Sequence, residues 1–181
     1  TINYSDFARI SKKSPYIAKI QPSGDYTLQD LEYAGGIGAV LHVLKPLLHN
    51  VPTITGARIH EIADKCEVLN PEIIKTIDNP IKNEGGISIL YGNLAPDGAV
   101  VKSSAMTENM RSHKGPARIF EDENSAIEAI YDNKINPGDC IVIRNEGPKG
   151  GPGMREMLTP SSALMGLGLG DKVALLTDGR F

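Results

Sequence analysis

A glycine- and proline-rich segment at residues 146–153 has the composition of a ligand-binding loop. Its eight residues include four glycines and two prolines, and it follows residues 140–143, an apolar run that predicts a buried strand. Glycines let backbone N–H groups approach a ligand oxygen, and loops at the carboxyl end of a buried strand commonly line a crevice in open α/β sheets. Residues 154–158 are predicted to open a helix whose N-terminus faces the same crevice.

Three charged side chains in or beside this loop could do chemistry. Glu156 is either a surface carboxylate in a first helical turn, where the helix dipole favours it, or an oxygen ligand of Mg²⁺. The same two alternatives apply to Glu146. Arg155 could pair with a substrate carboxylate, or with Glu146 or Asp178. Two common phosphate-binding motifs are excluded, since the loop has neither a GK[ST] ending nor a GxGxxG spacing.

Composition argues against several classes of function. Nineteen Lys and Arg against 22 Asp and Glu give a net charge of -3, without the basic excess of a nucleic-acid binder. No apolar run approaches the roughly 20 residues that span a bilayer, and no secretory signal is expected. Cys66 and Cys140 form no CxxC or CxxH pair, which predicts two reduced thiols in a cytosolic protein rather than a disulfide or a metal site.

The secondary structure predicted around the loop changes along the chain from mostly helical to mixed α/β. The first 80 residues are predicted to be mostly helical, with a capping box of Thr27 and Asp30. Glycines at 35, 36 and 38 allow close helix packing or a break between helices. From about residue 85 the pattern predicts an α/β region with a partly parallel core sheet. Its strands are expected at 87–91, 99–102, 117–120, 140–143 and 172–177.

Some finer expectations concern caps and burial. Ser5 or Asp6 is expected to cap the first helix, and Thr55 is expected to cap a helix over residues 57–64. The run at 140–143 lacks alternation, so it should be buried on both faces. A helix after residue 120, capped by Asp122 or Asn124, should present one apolar face made of Ala126, Ile127, Ile130 and Tyr131.

An ordered series of motifs resembles one known family. Residues 146–158 read EGPKGGPGMREML, and they are similar to a signature of the dihydroxy-acid and 6-phosphogluconate dehydratases. The similarity continues through TPSSAL at 159–164, GLGDKVAL at 168–175 and TDGRF at 177–181. Upstream it includes DNP at 78–80, EGG at 84–86, YGNLAPDGAVVK at 91–102, KGPAR at 114–118 and NPGD at 136–139. A long ordered set is far more specific than a single glycine loop.

The resemblance implies a fold and a domain division. Residues 1–80 would be the mostly helical end of the family's N-terminal domain. Residues 81–181 would form an incomplete C-terminal domain of the swivelling β/β/α type, an α/β fold with a mixed, partly parallel β-sheet or barrel. The chain is thus expected to be an internal fragment that is inactive alone.

The resemblance also implies a hydro-lyase that dehydrates 2,3-dihydroxy carboxylates to 2-keto acids, with an iron–sulfur cluster and Mg²⁺. The family's Mg²⁺-ligating glutamate of the MREM element corresponds to Glu156. Met154 and Arg155 are expected to bind substrate, and Glu146, Asp178 and Arg180 to support the site. The first hypothesis is a dihydroxy-acid dehydratase of branched-chain amino-acid synthesis. The alternatives are a sugar-acid or 6-phosphogluconate dehydratase, and a non-catalytic domain that keeps only the C-terminal fold.

Parts of the family's machinery are expected outside this chain. The resemblance places the catalytic base on a serine that would directly follow Phe181, and the cluster cysteines in the N-terminal domain. Cys66 and Cys140 match none of those cysteine motifs. The full-length protein is expected to be a cytoplasmic homodimer that takes a small dihydroxy acid and engages neither nucleic acid nor membrane.

Overall fold

The computed structural model describes residues 2–21, 23–149 and 156–181. The chain divides into two compact units, Thr1–Ala105 and Met106–Phe181, called here the N-terminal and C-terminal units. The family boundary expected near residue 80 stays a prediction. Across the described ranges, no helix is both long and apolar enough to cross a bilayer.

The N-terminal unit contains short helices and one hairpin. Its helices are α1 (Tyr4–Ser11), α2 (Leu28–Tyr33), α3 (Gly36–Leu44) and α4 (Ile59–Ala63), with a 3₁₀ turn at Lys45–Leu47. Strands β1 (Ser88–Leu90) and β2 (Ala99–Val101) pair antiparallel. The core of this unit is aliphatic and consists of Ile17, Leu31, Ala34, Ala39, Ile73 and Ile74.

Helix α2 begins as its sequence predicts. The Thr27 hydroxyl accepts a hydrogen bond from the Asp30 amide at 3.1 Å, and the Asp30 carboxylate accepts from the Thr27 amide at 2.7 Å. This reciprocal capping box satisfies two of the amides that a helix start leaves unpaired. Two other predicted caps are wrong: α1 is capped by Asn3, and α4 starts after Arg58 rather than after Thr55.

The glycines at 35–38 both break and pack helices. Gly35 has φ +114°, a conformation that glycine adopts without strain, and it separates α2 from α3. A β-carbon on Gly38 would overlap the sulfur of Cys66. Both alternatives that the sequence offered for this cluster are therefore realised, at different glycines.

The C-terminal unit is built from two successive β-α-β crossovers. Its elements are β3 (Ala117–Phe120), α5 (Glu123–Tyr131), β4 (Cys140–Ile143), α6 (Leu158–Gly166) and β5 (Ala174–Thr177), with a 3₁₀ turn at Glu108–Met110. The sheet order is β3-β4-β5, and both strand pairs are parallel. The predicted α/β class with a mixed, partly parallel sheet is confirmed. In the described residues the strands form two open sheets rather than a closed barrel.

Burial in this unit is more one-sided than predicted. Ile141 and Ile143 of β4 are fully buried, whereas Cys140 and Val142 on the opposite face are half-buried. The reason is that α5 and α6 pack against each other and share one core with Ile141 and Ile143. Tyr131 at the end of α5 is 61% exposed, although the sequence predicted it on the buried face.

Candidate functional site

The carboxyl ends of the parallel strands bring several charged residues to one side of the sheet. We call this side the carboxyl edge. Residues 121–123 follow β3, residues 144–147 follow β4, and residues 178–180 follow β5. Residues 156 and 157 lie beside residue 180 through a parallel bridge. In open α/β sheets this edge is where ligands bind.

Glu146 is a buried carboxylate at this edge. Its side chain is 1% exposed, and its Oε1 accepts a hydrogen bond from the backbone amide of Glu123 at 2.8 Å. That amide belongs to the first residue of α5, where intrahelical acceptors are absent and the helix dipole favours negative charge. Within the described residues, Glu146 Oε2 has no hydrogen-bond partner.

The backbone of Glu146 is tied to the end of β5. Its amide donates to Asp178 Oδ1 at 3.0 Å. A β-carbon on Gly147 would lie 2.7 Å from the Asp178 carbonyl oxygen, and one on Gly179 would lie 3.0 Å from the Glu146 carbonyl oxygen. The two chain segments therefore touch backbone to backbone, at a distance that only glycine permits.

A second set of contacts joins the ends of β3 and β4. Asn145 adopts φ 62°, in the left-handed region that asparagine tolerates better than most residues, and this turns the chain at the end of β4. Its side-chain amide donates to Glu121 Oε2 at 2.9 Å and to the Glu121 carbonyl at 3.2 Å. Arg144 forms an ion pair with the same Glu121.

Glu156 is presented to solvent beside Arg180. Arg180 Nη1 lies 3.3 Å from Glu156 Oε1, and both side chains are 53% exposed. The Met157 amide donates to the Arg180 carbonyl at 3.2 Å, which fixes the register of the two segments. The structure thus brings Glu146, Asp178, Arg180 and Glu156 to one edge. The predicted substrate-binding residues, Met154 and Arg155, lie outside the described residues.

The expected helical turn around Glu156 is wrong. Glu156 and Met157 precede α6, which begins at Leu158. Pro160 explains the start, because a proline is tolerated in the first turn but would remove an i→i−4 hydrogen bond from a helix that began at residue 154. This signal was present in the sequence. Glu156 therefore lies just before the N-terminus of α6 rather than within its first turn.

The described residues fit Mg²⁺ only as a partial ligand set. Within ranges 2–21, 23–149 and 156–181, no group of three or more His, Cys, Asp or Glu side chains could hold a metal ion. Mg²⁺ is commonly bound through one or two carboxylates, with water and substrate oxygens completing its shell. An exposed carboxylate such as Glu156 suits that role, whereas buried Glu146 already accepts a hydrogen bond.

The two cysteines do not fit an iron–sulfur cluster. Cys66 packs against Gly38 of α3. Burial of Cys140 in β4 raises the pKa of its thiol, which disfavours the thiolate that a cluster ligand requires.

Comparison with known proteins places the chain. The C-terminal model of the dihydroxy-acid/6-phosphogluconate dehydratases matches residues 72–181, and the N-terminal model matches residues 1–62. The chain belongs to this family. Dihydroxy-acid dehydratases from Acetivibrio thermocellus and Endomicrobium trichonymphae are each 55% identical to it, over 99% and 97% of its length. One from Methanococcus maripaludis is 49% identical over 99%.

These relatives are longer than the chain, which covers 33% of the first, 32% of the second and 33% of the third. The chain therefore spans about a third of the length of the curated relatives it matches. The family resemblance predicted from the motifs is confirmed.

Sequence reasoning missed one part of the carboxyl edge. Of the two caps predicted for α5, Asp122 and Asn124, the structure has Asp122, whose carboxylate accepts from the Ser125 amide at 2.8 Å. The contact between the start of α5 and Glu146 was not predicted, although a helix start directly after a parallel strand lies at the same edge as the loop. That topological signal could have identified Glu123 as a neighbour of the site.

Proposed function

We propose that the full-length protein, meaning the product of the complete reading frame that contains this chain, is a hydro-lyase. It would dehydrate 2,3-dihydroxy carboxylates to 2-keto acids, as a dihydroxy-acid dehydratase of branched-chain amino-acid synthesis. The names of relatives 49–55% identical over nearly the whole chain support this activity. The exposed Glu156 carboxylate, held at the carboxyl edge beside Arg180, is the structural observation that carries the proposal.

Glu156 would contribute one oxygen ligand to Mg²⁺. When bound, Mg²⁺ would orient the carboxylate and the 2-hydroxyl of the substrate. Arg180 would aim the Glu156 carboxylate, because its guanidinium lies 3.3 Å from Oε1 and its backbone fixes the adjacent Met157 amide. The Asp178 carboxylate would hold the end of β4 next to this pair through the Glu146 amide.

Other attributes of the full-length protein follow from the family resemblance. We propose an iron–sulfur cluster held by cysteines outside this chain, a catalytic serine in the segment that follows the DGRF motif, and substrate contacts from Met154 and Arg155. We also propose a cytoplasmic homodimer. The relatives named dihydroxy-acid dehydratase favour a dihydroxy acid over a phosphorylated sugar acid as substrate.

The test compares two substrates and two matched variants. The full-length protein is assayed with a branched-chain 2,3-dihydroxy acid and with 6-phosphogluconate, over a range of Mg²⁺ concentrations. Glu156→Gln keeps the size of the side chain but weakens metal binding, and we expect at least about a 100-fold loss of kcat/KM. Glu121→Gln is the control, because Glu121 is also an exposed carboxylate paired with an arginine at the carboxyl edge.

We expect the control to stay within about threefold of the wild type, as rim ion pairs contribute little. The visible spectrum of the cluster should be unchanged in both variants. Activity on neither acid would refute the proposed function. Activity of Glu156→Gln close to that of Glu121→Gln would remove Glu156 from the site while leaving the reaction class intact.

A further inference from the structure

Glu146 caps helix α5 from a position outside that helix. The first amide of α5 needs an acceptor that the helix itself does not supply. Here a side chain that is 1% exposed accepts from it through Oε1, while Oε2 has no partner in the described part of the chain. Burying a polar atom that has no partner costs free energy. Stability of α5 alone therefore does not explain this side chain.

What distinguishes Glu146 is the number of elements it joins. Its side chain accepts from the first residue of α5, and its backbone amide donates to Asp178 directly after β5. Its own carbonyl and Cβ lie so close to Gly179 that a β-carbon there would be 3.0 and 3.2 Å away. One residue thus fixes α5, the end of β4 and the end of β5 relative to one another.

The position of the Glu156–Arg180 pair depends on that junction. Arg180 follows Gly179 directly, and the Arg180 carbonyl accepts from the Met157 amide at 3.2 Å. A displacement of Asp178 and Gly179 would therefore displace Arg180. Glu156 would move with Arg180, because the β-bridge and the 3.3 Å ion pair join the two residues. The path from Glu146 to Glu156 consists of direct contacts throughout.

We propose that Glu146 is a positioning residue that holds the Glu156–Arg180 pair in place through Asp178 and Gly179. This inference rests on the proposed function only in taking Glu156 as the Mg²⁺-binding group. Glu146 itself is too buried to touch a substrate, so it acts through the end of β5. The feature that the positioning role requires is the hydrogen-bond acceptor at Oε1.

The variants separate positioning from simple stability. Glu146→Ala removes the acceptor, and Glu146→Gln keeps an oxygen in its place. The control is Asp139→Ala, at the opposite end of the same strand. Asp139 is a second buried carboxylate, 5% exposed, and its Oδ2 accepts from the Asn136 amide at 2.9 Å. It therefore matches Glu146 in burial and bonding but lies away from the carboxyl edge.

The primary measurement is amide hydrogen exchange in the full-length protein without added Mg²⁺. It reports local opening and is independent of turnover. In Glu146→Ala we expect exchange at the Met157 amide to speed up by about tenfold, since removing the acceptor of a buried amide weakens the local structure that protects Met157. In Glu146→Gln it should stay within about threefold of the wild type. Asp139→Ala should speed exchange at Asn136 but leave Met157 unchanged.

The second measurement is the Mg²⁺ concentration that gives half-maximal activity. We expect about a tenfold increase in Glu146→Ala, rescue in Glu146→Gln, and no change in Asp139→Ala. The proposal would be overturned if Glu146→Ala and Asp139→Ala gave similar results. Similar means that both the Met157 exchange rate and the Mg²⁺ concentration for half-maximal activity agree within threefold.

A second variant tests the positioning role of Glu146 if Glu146→Ala does not fold. Asp178→Ala removes the acceptor of the Glu146 amide, and we expect it to speed exchange at Met157 by about tenfold. Unchanged exchange in that variant would likewise overturn the positioning role. Failure of the proposed function looks different, because the wild type would then be inactive on both acids while the exchange results stood unaffected.

Discussion

The close approach of β4 and β5 predicts that a single methyl group at Gly147 will disturb the carboxyl edge. Gly147 is buried, and the β-carbon of an alanine there would lie 2.7 Å from the Asp178 carbonyl oxygen. It would also lie 3.2 Å from Asp178 Oδ2, the carboxylate whose other oxygen accepts from the Glu146 amide. The obstacle is backbone, so no rotamer change can relieve it.

The size of the effect follows from this geometry. Ordinary contact begins at 3.4 Å, so the two segments must separate by about 0.7 Å. Overpacking of this kind costs about 1–3 kcal/mol. The loss of glycine's freedom in the unfolded chain offsets about 0.4–1 kcal/mol, because φ at Gly147 is not positive and alanine can adopt it. A net destabilisation of about 1–2 kcal/mol remains, a factor of about 5–30 in the equilibrium between closed and open states.

Native-state hydrogen exchange of the β4 amides measures this equilibrium. We expect exchange at Ile141 and Ile143, the buried residues of β4, to be about 5–30-fold faster in Gly147→Ala. The matched control is Gly166→Ala at the end of α6. A β-carbon there would meet nothing within 4 Å, so alanine's higher helix propensity should leave stability unchanged or raise it by up to about 1 kcal/mol.

The same variant has a catalytic consequence. A displacement of about 0.7 Å at Asp178 moves the adjacent Arg180, and misplacements near 1 Å can cost about 100-fold in rate. Gly147→Ala should therefore lose activity in the full-length protein, whereas Gly166→Ala should not. If both variants exchange at the same rate and keep full activity, β4 and β5 do not meet as closely as described, and the positioning argument loses its basis.

Three further predictions concern individual contacts. Gly38→Ala should destabilise the packing of α3 against Cys66 by about 1–3 kcal/mol, measured by urea unfolding, because the new methyl overlaps the sulfur. Asp122→Ala should cost about 1 kcal/mol in the same measurement, because the Ser125 amide loses its cap. Burial raises the pKa of the Cys140 thiol, so its thiolate is scarce at neutral pH. Alkylation of Cys140 by iodoacetamide, followed by mass spectrometry, should therefore be slower than alkylation of a free thiol. The rate should increase as the pH rises through the raised pKa. Equal rates at pH 7 would contradict this last expectation.

Local signals account for what the sequence predicted correctly. The capping box of Thr27 and Asp30 and the cap at Asp122 each join residues three apart, so a short window contains the whole interaction. The apolar runs at 117–120 and 140–143 identify β3 and β4 to the residue. These patterns are sufficient for the class of fold, because strand and helix periods are local properties.

The contacts that build the carboxyl edge are not local. Glu146 reaches Glu123 across 23 positions and Asp178 across 32. Motif similarity selected Glu146, Asp178 and Arg180 as supporting residues, but it could not specify which atoms meet. The start of α6 was predictable in principle from Pro160, and it was missed because the glycines before residue 154 suggested an earlier helix start.

Gly147 has a packing role, and this changes how the composition of the loop is understood. The sequence predicts that glycine at this position lets the backbone approach a ligand. Gly147 instead lets the end of β4 approach the backbone of β5, and Gly179 makes the reciprocal approach from the other strand. Glu156 is held by the segment that follows Gly179. The geometry of the proposed ligand site therefore depends on the close packing of the ends of β4 and β5. Substitutions that widen this junction should therefore weaken the proposed site even when they touch none of its charged groups.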